Sequence, residues 1–153
     1  MDKLALRTFA VAAFLSALLL FTPTAGLAQD DPYTEGSVWN ITFVRTTEGH
    51  FDDYMENLKA GWQRVMDDAK VDGLVLSYMV LSQPGRTERD WDLMLLVEYP
   101  NYAALDGLGD KMDAFAAQHI GATDDRRQQA LISRGELRTI AGQVLAQELN
   151  FTN

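Results

Sequence analysis

The chain has no cysteine among its 153 residues, only 4 prolines and only 2 histidines. Without a thiol, disulfides, thiolate nucleophiles, cysteine-ligated zinc and an acylated lipoprotein cysteine are all excluded. His50 and His119 have no second histidine three or four residues away, so the helical zinc pattern is missing as well. No glycine-rich phosphate loop, nucleophile elbow or calcium loop is present. Internal repeats and low-complexity tracts are absent too. Basic side chains are scarce, 13 against 22 acidic for a net charge of −9. A field of that sign repels phosphate backbones and anionic lipid surfaces, which argues against nucleic-acid and peripheral-membrane partners. Asp and Glu are spread rather than blocked, as on a solvated surface.

One long apolar run is present, and it is N-terminal. Lys3 and Arg7 precede Phe9–Phe21, which is followed by Thr22-Pro23-Thr24-Ala25-Gly26-Leu27-Ala28. A helix through the run rises ~1.5 Å per residue and falls short of the ~30 Å hydrocarbon core. Pro23 and Gly26 break it, and small residues at Gly26 and Ala28 suit a signal peptidase. Arg7 stands without a second arginine, so a Sec-type signal fits better than a twin-arginine one. The expected product is an exported chain, periplasmic or secreted, that begins near Gln29 and has no stable membrane insertion. Losing Asp2, Lys3 and Arg7 leaves it one charge more negative than the whole. The expected organisation is a signal peptide over 1–28, a flexible leader over 29–37 and one domain over 38–151.

Within that domain the periodicity changes in a clear order. Residues 38–44 alternate, with Trp39, Ile41 and Phe43 on one face and Asn40 and Thr42 on the other, as in a half-buried strand. Phe51, Met55, Leu58, Trp62, Val65 and Ala69 recur at steps of three and four, predicting one amphipathic helix stopped by Asp72-Gly73, with Thr47 as its N-cap. Residues 74–81 read as a second strand. Residues 82–90 form a charged loop, and 91–99 a third strand with an apolar run that suggests burial on both faces. A second helix opens at Pro100-Asn101, with Leu105, Leu108, Met112, Phe115 and His119 as its stripe. Residues 123–133 predict a short extra helix, and 137–151 a last strand with a bulge or break at Gly142. The order β-α-β-β-α-(α)-β predicts an α+β, ferredoxin-like βαββαβ domain whose antiparallel sheet carries both long helices on one face. Trp39, Ile41, Phe43, Tyr78, Leu93 and Leu95 cannot all lie beneath two helices. The open sheet face is therefore expected to pair with a second copy in a homodimer.

Asp53-Tyr54-Met55-Glu56-Asn57-Leu58, Trp62 followed by Ala69-Lys70, Gly73-Leu74-Val75-Leu76-Ser77-Tyr78 and Trp91–Tyr99 resemble the dimeric α/β-barrel superfamily, and within it uncharacterised exported bacterial members. The resemblance spans roughly residues 38–150. It implies a fold that hosts small oxygenases, isomerases, haem-handling proteins and pure ligand binders. Haem-degrading members use an asparagine on the first strand with a tryptophan and a histidine. Asn40 and His119 match two of these by position, but the second helix holds no tryptophan. Cofactor-free oxygenase members use asparagine, tryptophan, tyrosine and arginine, types that Asn40, Arg45, Trp62, Tyr78 and Trp91 supply.

The candidate residues each carry two readings. His50 is a base facing the cleft or an exposed histidine beside a helix N-terminus. His119 extends an apolar stripe, so it either acts on a bound molecule or hydrogen-bonds within the core. Trp39, Trp62 and Trp91 belong to apolar faces, where packing is the default role. Asp67 and Asp68 diverge by about 100° on a helix and read as surface. His119, His50, Asn40 and Tyr78 are thus the catalytic candidates, and Trp62, Tyr78, Asn40, Arg45 and Trp91 the ligand-binding candidates. No metal site and no cofactor is expected. The leading expectation is an exported homodimer that holds a small apolar or aromatic molecule between sheet and helices. The alternatives are a cofactor-independent oxygenase or isomerase using the same cleft, and a structural protein acting through its dimer face.

Overall fold

Two strands at the ends of the domain form its longest pairing. A computed structural model describes residues 31–84, 87 and 90–152, so the signal peptide expected over 1–28 lies outside the described residues. Strand β1 (Tyr33–Thr46) pairs antiparallel with β4 (Arg138–Phe151) along nearly its whole length. Residues 33–37, expected to belong to a flexible leader, are thus the first part of β1, with Tyr33 opposite Phe151 and Glu35 opposite Leu149. A bulge at Gly36–Ser37 breaks the alternation there, which hides the strand from a period-two reading. The Ser37 hydroxyl fastens the bulge to the Glu148 carboxylate at 3.1 Å. A Cβ on Gly36 would come within 2.8 Å of both Asn150 and Glu148 side-chain atoms.

Strands β2 (Ser77–Ser82) and β3 (Leu93–Tyr99) complete an antiparallel sheet in the order β2-β3-β1-β4. The helices run as α1 (Phe51–Asn57), a π-helical turn (Leu58–Trp62), α2 (Gln63–Val71), a 3₁₀ turn (Tyr102–Leu105), α3 (Leu108–His119) and α4 (Asp124–Leu137). The connectivity and strand order are those of the ferredoxin-like fold, with α4 as the extra helix before the last strand. Thr123 caps α4 as a helix start should, and the helix is longer than expected. The break expected at Gly142 is a register shift between Phe43–Gly142 and Val44–Ile140, which leaves Ala141 as the extra residue. Thr47 does not cap α1. Its hydroxyl donates to the Glu136 carbonyl, and His50 takes the cap position.

The first helical stripe is displaced by the π-turn. An α-period reading joins Phe51 to Met55 and Leu58, but the buried residues are Tyr54, Leu58, Gly61, Val65, Met66 and Ala69. A π-turn admits one extra residue, so the apolar face before it rotates: Tyr54 turns inward and Phe51 is left exposed. Gly61 allows a close approach within the turn. A Cβ there would stand 3.3 Å from Ile120.

Burial along β3 alternates strictly, with Leu93, Leu95, Val97 and Tyr99 beneath the helices. The expectation that β3 is buried on both faces is corrected by this pattern, since Met94, Leu96 and Glu98 are only half-covered. Register then assigns the faces. Val38, Asn40, Thr42 and Val44 lie opposite the buried β3 residues and face the helices, whereas Trp39, Ile41 and Phe43 lie on the open face with Met94, Leu96, Met79, Leu81 and Val144. Of the six residues that could not all lie beneath two helices, Leu93, Leu95 and Tyr78 belong to the helix side and Trp39, Ile41 and Phe43 to the open face. Two buried clusters fill that side. Val65, Met66, Ala69, Leu74, Val75, Val97 and Tyr99 form one, and Val44, Tyr54, Leu58, Leu93 and Leu95 the other. Of the stripe expected for the second helix, Leu105 falls in the 3₁₀ turn and Leu108, Met112 and Phe115 in α3, and all four pack on the first cluster.

Candidate functional site

The π-turn and the outer strand β2 leave a cleft of about 400 Å³ between them. Its walls are Met55, Leu58, Trp62, Tyr78 and Val80, with Glu56, Lys59 and Gln63 as the polar groups. Met55, Glu56, Leu58, Lys59, Trp62 and Gln63 reach the cleft from one face of this helical stretch, whereas Asn57, Ala60 and Gly61 line a separate cavity on another side. The indole of Trp62 meets the phenol ring of Tyr78 edge to face, with centroids 5.3 Å apart and planes at 85°. Such a pair contributes about 0.5–1.5 kcal/mol beyond area burial and presents flat aromatic surface to a guest.

The Tyr78 hydroxyl donates to Asp67 at 2.5 Å. Asp67 is exposed, as the sequence suggests, and also anchors the phenol. Partial burial pushes the Tyr78 hydroxyl above its ordinary pKa, and the bond to Asp67 and that carboxylate's charge add to the effect, while Gln63 opposes it. The group is therefore a neutral phenol committed to an acceptor, suited to positioning a guest rather than to taking its proton.

The other sequence candidates do not converge on this cleft. Asn40 shares a cross-strand row with Val97 and Tyr78, which puts it two strands and about 10 Å from Tyr78 with buried Val97 between them. Its side chain accepts from Gln143 at 2.8 Å. It lines a separate, more open cleft of about 380 Å³ at the β4 edge, with Leu105, Leu108 and Leu145. Arg45 and Trp91 stand elsewhere: Arg45 Nε donates to the Asp90 carbonyl, and Trp91 packs its ring 5.3 Å from Phe43 on the open-face side. His50 is exposed and bonded to Asp53 at 2.8 Å. His119, the last residue of α3, bonds through Nε2 to Asp68 at 2.6 Å, and so ties α3 to α2. Asn40 lines a cavity with Leu108 at the start of α3 and His119 ends that helix, so at about 1.5 Å of rise per residue most of the helix length lies between Leu108 and His119. Asn40, Tyr78 and His119 line three different cavities among the described residues. Among the described residues no cluster of three or more His, Asp or Glu side chains is placed to hold a metal ion, and no helix is long and apolar enough to cross a membrane.

Sequence reasoning missed a second polar centre. Tyr54 is buried with the Arg138 guanidinium carbon 5.8 Å from its ring centroid. Arg134 lies close by, its Nε donating to Asn57 at 3.1 Å. Burial raises the Tyr54 pKa against the opposing charges of Arg138 and Arg134, and burial lowers that of Arg134. The available signal was compositional, since Arg126, Arg127, Arg134 and Arg138 crowd one short segment of an acidic chain.

Tyr54, Tyr78 and Tyr99 all have pKa values raised first by burial. In the unfolded chain each ionises near the ordinary value of about 10. Their stabilisation is thus complete below about pH 10 and is lost as pH rises through the higher native values. Denaturant unfolding across that range is expected to show falling stability above about pH 10, with Tyr54→Phe reducing the slope. Unchanged stability through that window would contradict the assignment.

No protein-family model matches the chain, and no curated protein matches it. The solved structures that are similar to it include the following two. One is a dimeric ferredoxin-like protein from an uncultured marine organism, 6% identical, covering 78% of this chain and 91% of that chain with a TM-score of 0.49. The other is a dimeric ferredoxin-like protein of unknown function from Thermobifida fusca YX, 12% identical, covering 76% of this chain and 92% of that chain with a TM-score of 0.37.

Proposed function

We propose that this ferredoxin-like protein is an exported, homodimeric binder of a small, flat, apolar or aromatic molecule, held between the π-turn and β2. The observation that carries the reading is the Trp62–Tyr78 cleft: about 400 Å³, walled by Met55, Leu58 and Val80, with a few polar groups to fix orientation. The neutral, engaged Tyr78 and the separation of Asn40 from His119 favour binding over the oxygenase or isomerase alternative. Calorimetric titration with 1-naphthol tests it. One site per protomer is expected, and Trp62→Ala should weaken binding by at least about tenfold, the value of one lost aromatic contact in a desolvated pocket. Trp91→Ala, on the other side of the sheet, should leave affinity unchanged. Equal losses in both variants, or no saturable heat, would count against the site.

Homodimerisation is proposed through the open face. Trp39, Ile41, Phe43, Met79, Leu81, Met94, Leu96 and Val144 form a contiguous apolar surface in the register, too broad to leave to water. Export rests on residues 1–28 alone. Expression of the full chain in a bacterial host should yield protein whose N-terminal sequence begins near Gln29; a product starting at Met1 would contradict it.

A further inference from the structure

Arg134 and Arg138 have no carboxylate within ion-pairing distance among the described residues, although the chain carries 22 acidic side chains against 13 basic ones. Both are half-buried, and charges taken out of water are ordinarily paired. The Arg138 Nε is fully buried without a hydrogen-bond partner. Arg134 makes one side-chain hydrogen bond, from Nε to Asn57, which leaves its terminal amino groups unengaged within the described residues.

Arg134 also stands in the wall shared by two neighbouring cavities of about 180 and 170 Å³. Ile120 and Ala130 line both. Ala116 and Leu131 add apolar surface to the first, and Ala60 and Gly61 to the second. Apart from Asp113, the remaining polar lining is already committed. Arg127 binds the Gly121 carbonyl and Asp124, and His119 binds Asp68. Asp113 is the one carboxylate lining either cavity, and it forms no ion pair with Arg134.

We propose that the groove between α3 and α4 is a second binding site, for a small amphipathic carboxylate. Its head is held by the planar fork of Arg134, and its hydrocarbon part lies along Ile120, Ala130 and Leu131. A guanidinium presents two parallel donors that match a carboxylate, and a desolvated setting strengthens the pair. The alkyl walls select against a bare inorganic anion, which would lose its hydration there without gaining apolar contact. This site shares no residue with the Trp62–Tyr78 cleft, so the two stand or fall separately.

The test is a titration of the purified full-length product with octanoate, followed by backbone and arginine Nε–H resonances, with octanol and inorganic phosphate in parallel. Octanoate is expected to shift Ile120, Ala130 and the Arg134 Nε–H saturably, while octanol and phosphate leave the Arg134 signal in place over the same range. Arg134→Gln should weaken octanoate by at least about tenfold, the effect of losing a charged hydrogen-bond partner. Ala130→Leu keeps the guanidinium but fills the groove, and should weaken octanoate comparably while leaving 1-naphthol binding intact. Unchanged octanoate affinity in Ala130→Leu, shifts confined to Trp62 and Tyr78, or phosphate matching octanoate would each overturn the proposal.

Discussion

Leu96→Glu is expected to abolish the proposed open-face dimer and leave a folded monomer. Leu96 occupies the middle row of the open face, with Ile41 beside it on β1 and Met79 on β2. In one protomer it is only half-covered, so a glutamate there can reach water and the domain should keep its fold. In the dimer the same carboxylate would be sealed against apolar side chains. Twofold symmetry imposes the cost twice. At about 2 kcal/mol or more for each unpaired polar group, the two copies weaken association by about a thousandfold or more. Light scattering at micromolar concentration should report the dimer for the parent and the monomer for the variant, with matching far-ultraviolet dichroism. A variant that stays dimeric would place the interface elsewhere.

The second large effect is on stability. Leu93 is 1% exposed and packs in the cluster with Val44, Tyr54, Leu58 and Leu95, directly beneath the start of the π-turn. Leu93→Ala removes buried methyl groups from a site walled by strands on two sides, where collapse into the void is limited. A loss of about 2–5 kcal/mol is expected by denaturant unfolding. Leu81→Ala, on the half-open face of the same sheet, should cost far less in the monomer, since Leu81 is 46% exposed. Similar losses at both positions would contradict the assignment of faces.

The order of elements was legible because periods of two and of three to four alternate cleanly from Val38 onward, and because Thr123 and Gly142 mark a helix start and a bulge. Three features were not legible, each for a physical reason. The beginning of β1 is polar and bulged at Gly36–Ser37, so its strand character depends on a partner more than a hundred residues away. The π-turn changes the helical period locally, which misplaced Phe51 and concealed Tyr54. The faces of β3 could not be told apart because it is apolar at successive positions, so alternation carries no sign and burial on both faces was expected. The polar Asn40 then suggested solvent on the side that in fact faces the helices, where Gln143 satisfies it. Of the candidate residues, Trp62 and Tyr78 meet as a cleft, whereas Asn40, Arg45, Trp91, His50 and His119 are engaged elsewhere. Composition identifies chemically capable side chains, but only register and the π-turn decide which of them share a cavity.

The space between the π-turn and β2 is proposed above as a binding site, and its lining gives that proposal a direct readout. The most direct measurement is a 1-naphthol titration of isotope-labelled protein, read by chemical-shift mapping. Saturable shifts are expected at the Trp62 indole N–H and at Leu58, Gln63, Tyr78 and Val80, with the Trp39 and Trp91 indoles unmoved. Shifts centred on Trp39 and Trp91, or on Asn40 and Leu145 at the β4 edge, would contradict it.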